Sequence, residues 1–213
     1  MVVGKLNNNQ EIELKLEIID EKESEEIYKY LQSINSNKSK QVIQHIKMKA
    51  IYYDTTDGFY ERNRIAYRVR QENDCLVATY KEGKINEQGV FERLEINKNV
   101  NSLEPNIEIF SKEEKIWNKI KKSKDKTFVP VVITDFVRDC INLIWGKSVI
   151  ELALDRGLIK AGDKQVPICE LELELKKGDI KDLIELKQEL EKMFKLQAST
   201  ISKYKRGLIL LGK

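Results

Sequence analysis

The sequence predicts an α+β fold built around a closed, roughly eight-stranded antiparallel β-barrel with flanking helices. Several short segments alternate charged and apolar side chains with a period of two, which is typical of half-buried strands. Turn-forming residues separate these segments at short intervals, and helical periodicity occurs at three places only. A chain of 213 residues suits one large domain, so we expect residues 1–213 to form a single unit.

The first half of the chain predicts a strand, a helix and an antiparallel meander. The first strand is expected at 11–18, where charged residues alternate with leucine and isoleucine. A helix should follow from about Asp20 to Ile34 with Asp20 as its N-cap, and the polar run 35–40 is typical of a loop. Further strands are predicted at 42–53, 64–71, 75–81 and 89–96.

The second half begins with a helix and returns to strands. Ser111 and Glu114 form a capping-box pattern that predicts a helix through Lys122, and Pro130 begins a second β-rich stretch. The remaining elements are strands at 130–139, 141–146, 148–156 and 166–176, and helices at 179–196 and 199–211.

The composition is rich in charge but balanced in sign. Charged residues make up 34% of the chain, whereas about 25% is typical of globular proteins. Lys and Arg together number 38 and Asp and Glu 35, so no cationic field indicates nucleic acid or a membrane as partner. The sequence has neither an apolar run of the roughly 18 residues that a spanning helix needs nor a signal-peptide pattern, so we expect a cytoplasmic protein.

Several familiar chemistries are excluded by what the sequence lacks. His45 is the only histidine, which excludes a histidine metal cluster and disfavours a Ser/His/Asp triad. The stretch 157–162 is followed by Asp163 where a P-loop needs lysine. The three cysteines form no C-x-x-C pair, so a thiolate zinc site is not supported. Any catalysis must therefore use carboxylates, lysines and arginines.

Strand after strand carries one charged face and one apolar face. In many antiparallel sheets such charged faces point to water, and this is the simplest expectation here. The alternative is that they line the interior of a barrel. The charged-face residues are Glu11, Glu13, Lys15, Arg68, Arg70, Thr79, Lys81, Arg93, Glu95, Glu151, Asp155, Glu170, Glu172 and Glu174.

Arginine usage favours the charged interior. The chain has 8 Arg against 30 Lys, yet Arg68, Arg70, Arg93 and Arg138 all fall at charged-face positions of predicted strands. Arginine binds phosphate bidentately through its planar fork, which lysine cannot do. Carboxylates without histidine or thiolate suit a hard cation such as Mg²⁺ or Mn²⁺. Together these residue types indicate a polyphosphate ligand.

The ordered motifs resemble those of the CYTH family (adenylyl cyclase class IV and thiamine triphosphatase), also called triphosphate tunnel metalloenzymes. The signature E-x-E-x-K is present as Glu11, Glu13 and Lys15. The amino-acid sequence of the second half is most similar to the sequences of bacterial inorganic triphosphatases, which often carry an additional C-terminal histidine-rich helical domain. Further matches are IYYDT at 51–55, YRVR at 67–70, TYK at 79–81, RLE at 93–95, TDFVR at 134–138, IELALD at 150–155, PICELELEL at 167–175, and Ser202-Lys203 with Arg206-Gly207.

The resemblance implies an eight-stranded tunnel in which acidic residues hold Mg²⁺ or Mn²⁺ and basic residues bind triphosphate. It implies catalytic roles for Glu13, Lys15 and Glu172. Both Glu170/Glu172 and Glu172/Glu174 fit the second E-x-E of the family, so that register stays open. The implied metal ligands are Glu11, Glu13, Glu95, Asp155, Glu170, Glu172 and Glu174. The implied phosphate-binding residues are Lys15, Arg68, Arg70, Lys81, Arg93, Arg138, Lys203 and Arg206.

The expected function is metal-dependent hydrolysis of inorganic triphosphate, or a similar short polyphosphate, to pyrophosphate and phosphate. A thiamine triphosphatase and an adenylyl cyclase share the scaffold and stay open, as does a non-catalytic polyphosphate-binding module. The bland alternative is a barrel with a charged surface that serves as a protein interaction domain. The expected partner is a small-molecule triphosphate, and the sequence does not predict an oligomeric state.

Overall fold

The computed structural model describes residues 9–38 and 42–213, which form one sheet, five α-helices and two short 3-10 turns. The helices are α1 (Glu21–Lys38), α2 (Phe59–Arg62), α3 (Glu114–Ile120), α4 (Ile180–Met193) and α5 (Lys203–Leu210), and the 3-10 turns are Ile107–Phe110 and Lys121–Ser123. The strands are β1 (Gln10–Ile18), β2 (Gln44–Thr55), β3 (Ile65–Glu72), β4 (Cys75–Ile85), β5 (Phe91–Asn99), β6 (Phe128–Trp145), β7 (Ser148–Ala161), β8 (Lys164–Lys177) and β9 (Leu196–Ser199).

Eight of these strands close into a barrel. They follow the order β5-β4-β3-β2-β6-β7-β8-β1, and β1 also pairs with β5, so the last strand returns to the first. Each neighbouring pair is antiparallel. The predicted fold, an eight-stranded antiparallel barrel with flanking helices, is confirmed.

The apolar faces of β1, β7 and β8 point outward and are covered by helices. Leu16, Leu154 and Leu171 have no exposed surface and belong to one core with Ile27 of α1 and Leu186 of α4. Each such side chain contributes roughly 1.5–3 kcal/mol through the apolar surface that it removes from water. The leucines of these strands therefore pack outside the barrel, and their charged neighbours point into it.

A second outer core, rich in aromatic rings, covers β3 and β4. Tyr60 of α2, Tyr67 of β3 and Tyr80 of β4 are almost wholly buried, and Phe110 packs edge-on against Tyr67 and Tyr80. Because α2 and the segments that connect β5 to β6 supply this cover, this side of the barrel also keeps its apolar face away from water.

α5 packs at one end of the barrel interior, where it forms a third apolar cluster with inward-facing residues. Tyr204 stacks on Tyr52 of β2 with 5.0 Å between the ring centroids. Gly207 lies against Val132 of β6, so closely that a Cβ would meet the valine side chain at 2.4 Å. The short helix thus rests on the same wall of the barrel from which the charged side chains project.

Several predicted boundaries are corrected by the structure. The predicted strands 130–139 and 141–146 form the single strand β6, because it pairs with β2 and β7 without a turn. The only register shift between β2 and β6 is opposite Pro130, which has no N–H to donate. α1 extends through four residues of the predicted loop 35–40, whose last two residues lie outside the described part.

The C-terminal elements also differ from the prediction. The predicted helix 179–196 ends at Met193, and residues 196–199 form the additional strand β9 beside β1. The last helix begins at Lys203 rather than Ser199, with the Ser202 side chain accepting a hydrogen bond from the backbone of Lys205. None of the helices in the described part of the chain is both long and apolar enough to cross a membrane.

Candidate active site

The barrel encloses a cavity of about 670 Å³ lined by charged side chains from its strands. Glu13, Lys15 and Glu172 are only 3–6% exposed, so their faces do not point to bulk water. The interpretation of these strands as a charged outer surface is therefore wrong. The predicted site residues that line the cavity are Glu11, Glu13, Lys15, Arg68, Arg70, Lys81, Arg93, Glu95, Arg138, Glu172, Glu174 and Lys203.

One group of charges lies where β4, β5 and β1 meet. The Lys81 ammonium lies 2.7 Å from Glu11 Oε1 and 2.5 Å from Glu95 Oε2, and Arg93 Nη1 donates to Glu13 Oε1 at 2.5 Å. Gly83 is opposite Arg93 and permits the close approach of β4 and β5, since a Cβ there would lie 2.3 Å from the Glu92 carbonyl oxygen. These contacts place two carboxylates of β1 beside cations of β4 and β5.

Burial opposes the charge of both carboxylates that contact Lys81, but the net pKa shifts of the two carboxyls have opposite signs. Burial raises the pKa of Glu11 to about 7, although Lys81 lowers it. Burial also opposes the charge of Glu95, but Lys81 and Arg68 outweigh it and hold the pKa of Glu95 below its usual range. Near neutral pH this pair is therefore only partly ionised.

The second group lies where β6, β7 and β8 meet α5. Arg138 donates to both carboxylate oxygens of Asp155, at 2.7 and 2.6 Å, and also contacts Glu172. The Lys203 ammonium lies 2.6 Å from Asp155 Oδ2, 2.5 Å from Glu170 Oε1 and 2.9 Å from Glu172 Oε1. The register explains this convergence, because Asp155 is directly opposite both Arg138 and Glu170.

Three of the predicted residues do not line the cavity. Asp155 and Glu170 are buried behind the Lys203 ammonium, at 0% and 2% exposure. Arg206 lies at the edge of α5, where it donates to Glu170 Oε2 at 3.0 Å and to the Pro167 carbonyl oxygen at 2.5 Å.

Lys15 joins the two groups. Its ammonium contacts Glu172 and lies 3.3 Å from Glu13 Oε1. Burial opposes the charge on Glu13 and on Glu172, but nearby cations outweigh burial and lower the pKa of both carboxyls. For Glu172 the strongest of these cations are Lys15 and Lys203. Both carboxylates are therefore ionised throughout the neutral range.

Two arginines on β3, the buried Arg68 and the half-buried Arg70, line the cavity with hydrogen-bonding capacity to spare. Arg68 Nη1 donates to the Tyr52 hydroxyl at 3.1 Å, and Arg70 contacts Glu72. The Nε atoms of both arginines are buried and lack a hydrogen-bond partner among the described residues. Burial, together with the charge of Arg68, lowers the pKa of Arg70 to about 10. Such guanidinium groups are a ready site for an anion.

The chemistry of the acidic residues fits a hard cation at one place. One carboxylate oxygen from each of Asp155, Glu170 and Glu172 lies within 4.8 Å of the others, and all three residues are buried. Oxygen donors without nitrogen or sulfur are those preferred by Mg²⁺ and Mn²⁺. Glu174 does not join this set and contacts Lys176 instead, at 2.8 Å. The other predicted ligands, Glu11, Glu13 and Glu95, belong to the group at β1, β4 and β5.

Sequence reasoning missed the aromatic residues of the site. The Tyr52 hydroxyl accepts from Arg68, and Lys81 also helps Arg68 to lower the tyrosine pKa against the effect of burial. Phe91 lies under the Arg93 guanidinium, 4.0 Å from ring centroid to Cζ. Strand parity could have indicated Tyr52, which lies on the inward face of β2, but an aromatic residue at such a position is more often part of an ordinary core.

The chain matches a family model described as the CYTH domain over residues 9–208. It is 31% identical to an inorganic triphosphatase of Haemophilus influenzae over 213 residues, covering 96% of this chain and 56% of that protein. The chain thus spans about half the length of the curated relative that it matches.

Two solved structures have a similar fold. A Hippeastrum protein, described as a putative adenylyl cyclase with a dominant triphosphatase activity, aligns with a TM-score of 0.64 at 16% identity over 91% of this chain and 93% of that one. The triphosphatase of the mimivirus capping enzyme aligns with a TM-score of 0.51 at 16% identity over 87% and 89% of the two chains. At these identities the likeness is one of fold.

Proposed function

The chain belongs to the CYTH domain family, and from that premise we propose that it hydrolyses inorganic triphosphate to pyrophosphate and phosphate inside the barrel with the help of a divalent metal ion. The activity named for the Haemophilus influenzae relative supports this proposal. The observation that carries it is the charge arrangement of the cavity. Guanidinium groups whose Nε–H donors have no partner among the described residues line the cavity, and Glu172 of the buried, oxygen-only acidic set lines it as well.

The basic residues would hold the phosphate chain. Arg68 and Arg70 offer Nε–H groups that no described residue accepts. Lys15, Lys81 and Arg93 would exchange part of their carboxylate contacts for phosphate oxygens. Water attacks the terminal phosphorus, the bond to the bridging oxygen breaks, and pyrophosphate leaves. Because this chemistry needs positioning and charge neutralisation above all, fixed cations around the chain supply much of the rate.

Asp155, Glu170 and Glu172 are the residues that fit a metal ion best, which favours Glu170/Glu172 as the second E-x-E pair. A Mg²⁺ or Mn²⁺ ion there would neutralise phosphate charge and supply an acidified water molecule. Glu11, Glu13, Glu95 and Glu174 face the same cavity and are proposed as further ligands. Glu13 and Glu172 hold Lys15 between them, so they fix its ammonium where the phosphate chain would bind.

An organic triphosphate is the second candidate substrate. A cavity of about 670 Å³ falls in the range of pockets that take drug-sized ligands, which is about 300–1,000 Å³. Ile46, Met48 and Phe136 line it on the β2 and β6 wall, opposite the charged wall of β1 and β5. An apolar wall next to a phosphate site could hold the organic group of thiamine triphosphate or ATP.

Phosphate release from inorganic triphosphate, thiamine triphosphate and ATP, each with Mg²⁺ and with Mn²⁺, tests the proposal. We expect the highest kcat/KM with inorganic triphosphate and no cyclic AMP from ATP. A higher kcat/KM with thiamine triphosphate or ATP would identify that compound, rather than inorganic triphosphate, as the preferred substrate. Tight binding of triphosphate without phosphate release under any metal would instead identify a binding module.

A further inference from the structure

The Lys203 ammonium lies at the centre of the three carboxylates that are best suited to a metal ion. Its Nζ is 2.5–2.9 Å from one oxygen of each of Asp155, Glu170 and Glu172. Those three residues are also the ones whose oxygens converge within 4.8 Å. The side chain of Lys203 is 7% exposed, so it is enclosed among these carboxylates.

An ammonium group and a metal ion cannot share this place. A Mg²⁺ ion holds its oxygen ligands at about 2.0–2.1 Å, and a Ca²⁺ ion at about 2.3–2.6 Å. A cation coordinated by the same three oxygens would therefore overlap the position of Lys203 Nζ. The two positive charges would also repel each other strongly at such a separation in a buried site.

The Lys203 ammonium must therefore move away from Asp155, Glu170 and Glu172 before a metal ion can take its place among their oxygens.

The packing of α5 against the barrel sets the position of Lys203. Lys203 is the first residue of this helix and is followed by Tyr204, which stacks on Tyr52. Gly207 packs against Val132, and Arg206 donates to Glu170. These contacts hold α5 against the barrel in the arrangement that inserts the ammonium between the carboxylates.

We propose that Lys203 is a built-in counter-ion of the acidic set, and that binding of a divalent cation expels its ammonium and loosens α5 from the end of the barrel. The inference rests on the metal site of the proposed function. The packing of α5 against the barrel would then depend on whether a metal ion is bound. Lys203 is a positioning residue that balances the charge of the three carboxylates in the metal-free protein.

The test measures binding of Mn²⁺ alone, without substrate, to the full chain. Lys203→Met removes the competing charge and should bind Mn²⁺ at least about tenfold more tightly than the wild type, which corresponds to about 1.4 kcal/mol. Gly207→Ala keeps Lys203 and favours helix, but its methyl group clashes with Val132 and should unseat α5, so it should also tighten binding. Lys192→Met, at a largely exposed position on α4 away from the cavity, should match the wild type.

A second readout follows α5 directly. Amide hydrogen exchange of residues 203–210 in the wild type should accelerate at least about fivefold at saturating Mn²⁺ if binding releases the helix. Asp155→Asn should remove both the tight Mn²⁺ site and this response.

The possible outcomes separate the inference from the proposed function. Equal Mn²⁺ affinities in the wild type, Lys203→Met and Gly207→Ala, with unchanged exchange in α5, would overturn the inference and leave the metal site standing. Failure of every variant to bind Mn²⁺ would overturn the proposed metal site and the inference with it. If Lys203→Met does not fold, Gly207→Ala and the exchange measurement still decide.

Discussion

Arg93 of β5 donates a hydrogen bond of 2.5 Å to Glu13 of β1 across the seam at which the barrel closes. The closing strand pair is thus joined on the inside by a buried ion pair between residues 80 positions apart in the chain. Removing one partner of such a pair leaves an uncompensated buried charge, whereas a ligand of the right sign can take over one of the contacts. The seam is therefore part of the proposed site as well as of the fold.

Removing the charge of Glu13 should stop turnover. Glu13→Gln keeps the shape of the side chain but no longer balances Lys15 and Arg93. We expect kcat for triphosphate to fall by at least about a hundredfold, which is typical when one fixed electrostatic contact is lost. Glu172→Gln should behave in the same way. Circular dichroism should show both variants folded, and Glu25→Gln on the exposed face of α1 should retain full activity. Full activity in both cavity variants would refute the assigned site.

The guanidinium groups of β3 should set the affinity for the substrate. Arg70→Lys keeps the charge but loses the fork that binds two phosphate oxygens at once. Since Arg70 Nε has no partner among the described residues, we expect KM for triphosphate to rise about tenfold or more. Steady-state kinetics measures this, with the largely exposed Arg62→Lys as the matched control. An unchanged KM in Arg70→Lys would show that the Arg70 guanidinium on β3 does not bind the phosphate chain.

The stability of the metal-free protein should depend on pH through Glu172. Burial opposes its charge, but Lys15, Lys203 and Arg138 hold its pKa well below the usual 4.5. A lowered pKa stabilises the fold above the pKa of the unfolded chain, and this stability is lost as pH falls through the folded value. Urea unfolding in EDTA should show the largest difference in the free energy of unfolding between the wild type and Glu172→Gln near pH 7. The difference should shrink below about pH 4.5. A difference in the free energy of unfolding that stays constant down to pH 3 would contradict the proposed ion pairs.

Cys75 and Cys140 should differ sharply in reactivity. Cys75 is exposed, whereas burial raises the pKa of Cys140 to about 11 and leaves little thiolate at pH 8. Iodoacetamide treatment followed by peptide mass spectrometry should therefore label Cys75 rapidly and leave Cys140 unmodified in the native protein. Labelling of both cysteines at the same rate would show that the β6 wall of the cavity is open to solvent.

Much of the fold could be predicted from local patterns, but the direction of each strand face could not. Glu170 and Leu171 are neighbours in β8 and point to opposite faces of the sheet, yet both are buried, at 2% and 0% exposure. Alternation alone does not distinguish the inside of a barrel from its outside. That distinction depends on α1 and α4, which cover the leucines, and their packing is a tertiary property.

Most of the charged residues that line the cavity could be named from the sequence one by one, but their grouping could not. Asp155 and Glu170 are paired in register, and Lys203 reaches them from α5, 48 and 33 positions along the chain. The strand β9 was missed because Leu196–Ser199 is only four residues long with one large apolar side chain, and it is held by its pairing with β1. In both cases long-range pairing decides what the local sequence leaves open.

Release of phosphate from inorganic triphosphate, measured with and without a divalent metal ion, tests the central claim most directly. The account predicts turnover with Mg²⁺ or Mn²⁺, loss of turnover in EDTA, and loss of turnover in Glu172→Gln at every metal concentration. Equal turnover in EDTA, or no turnover with either metal, would contradict it.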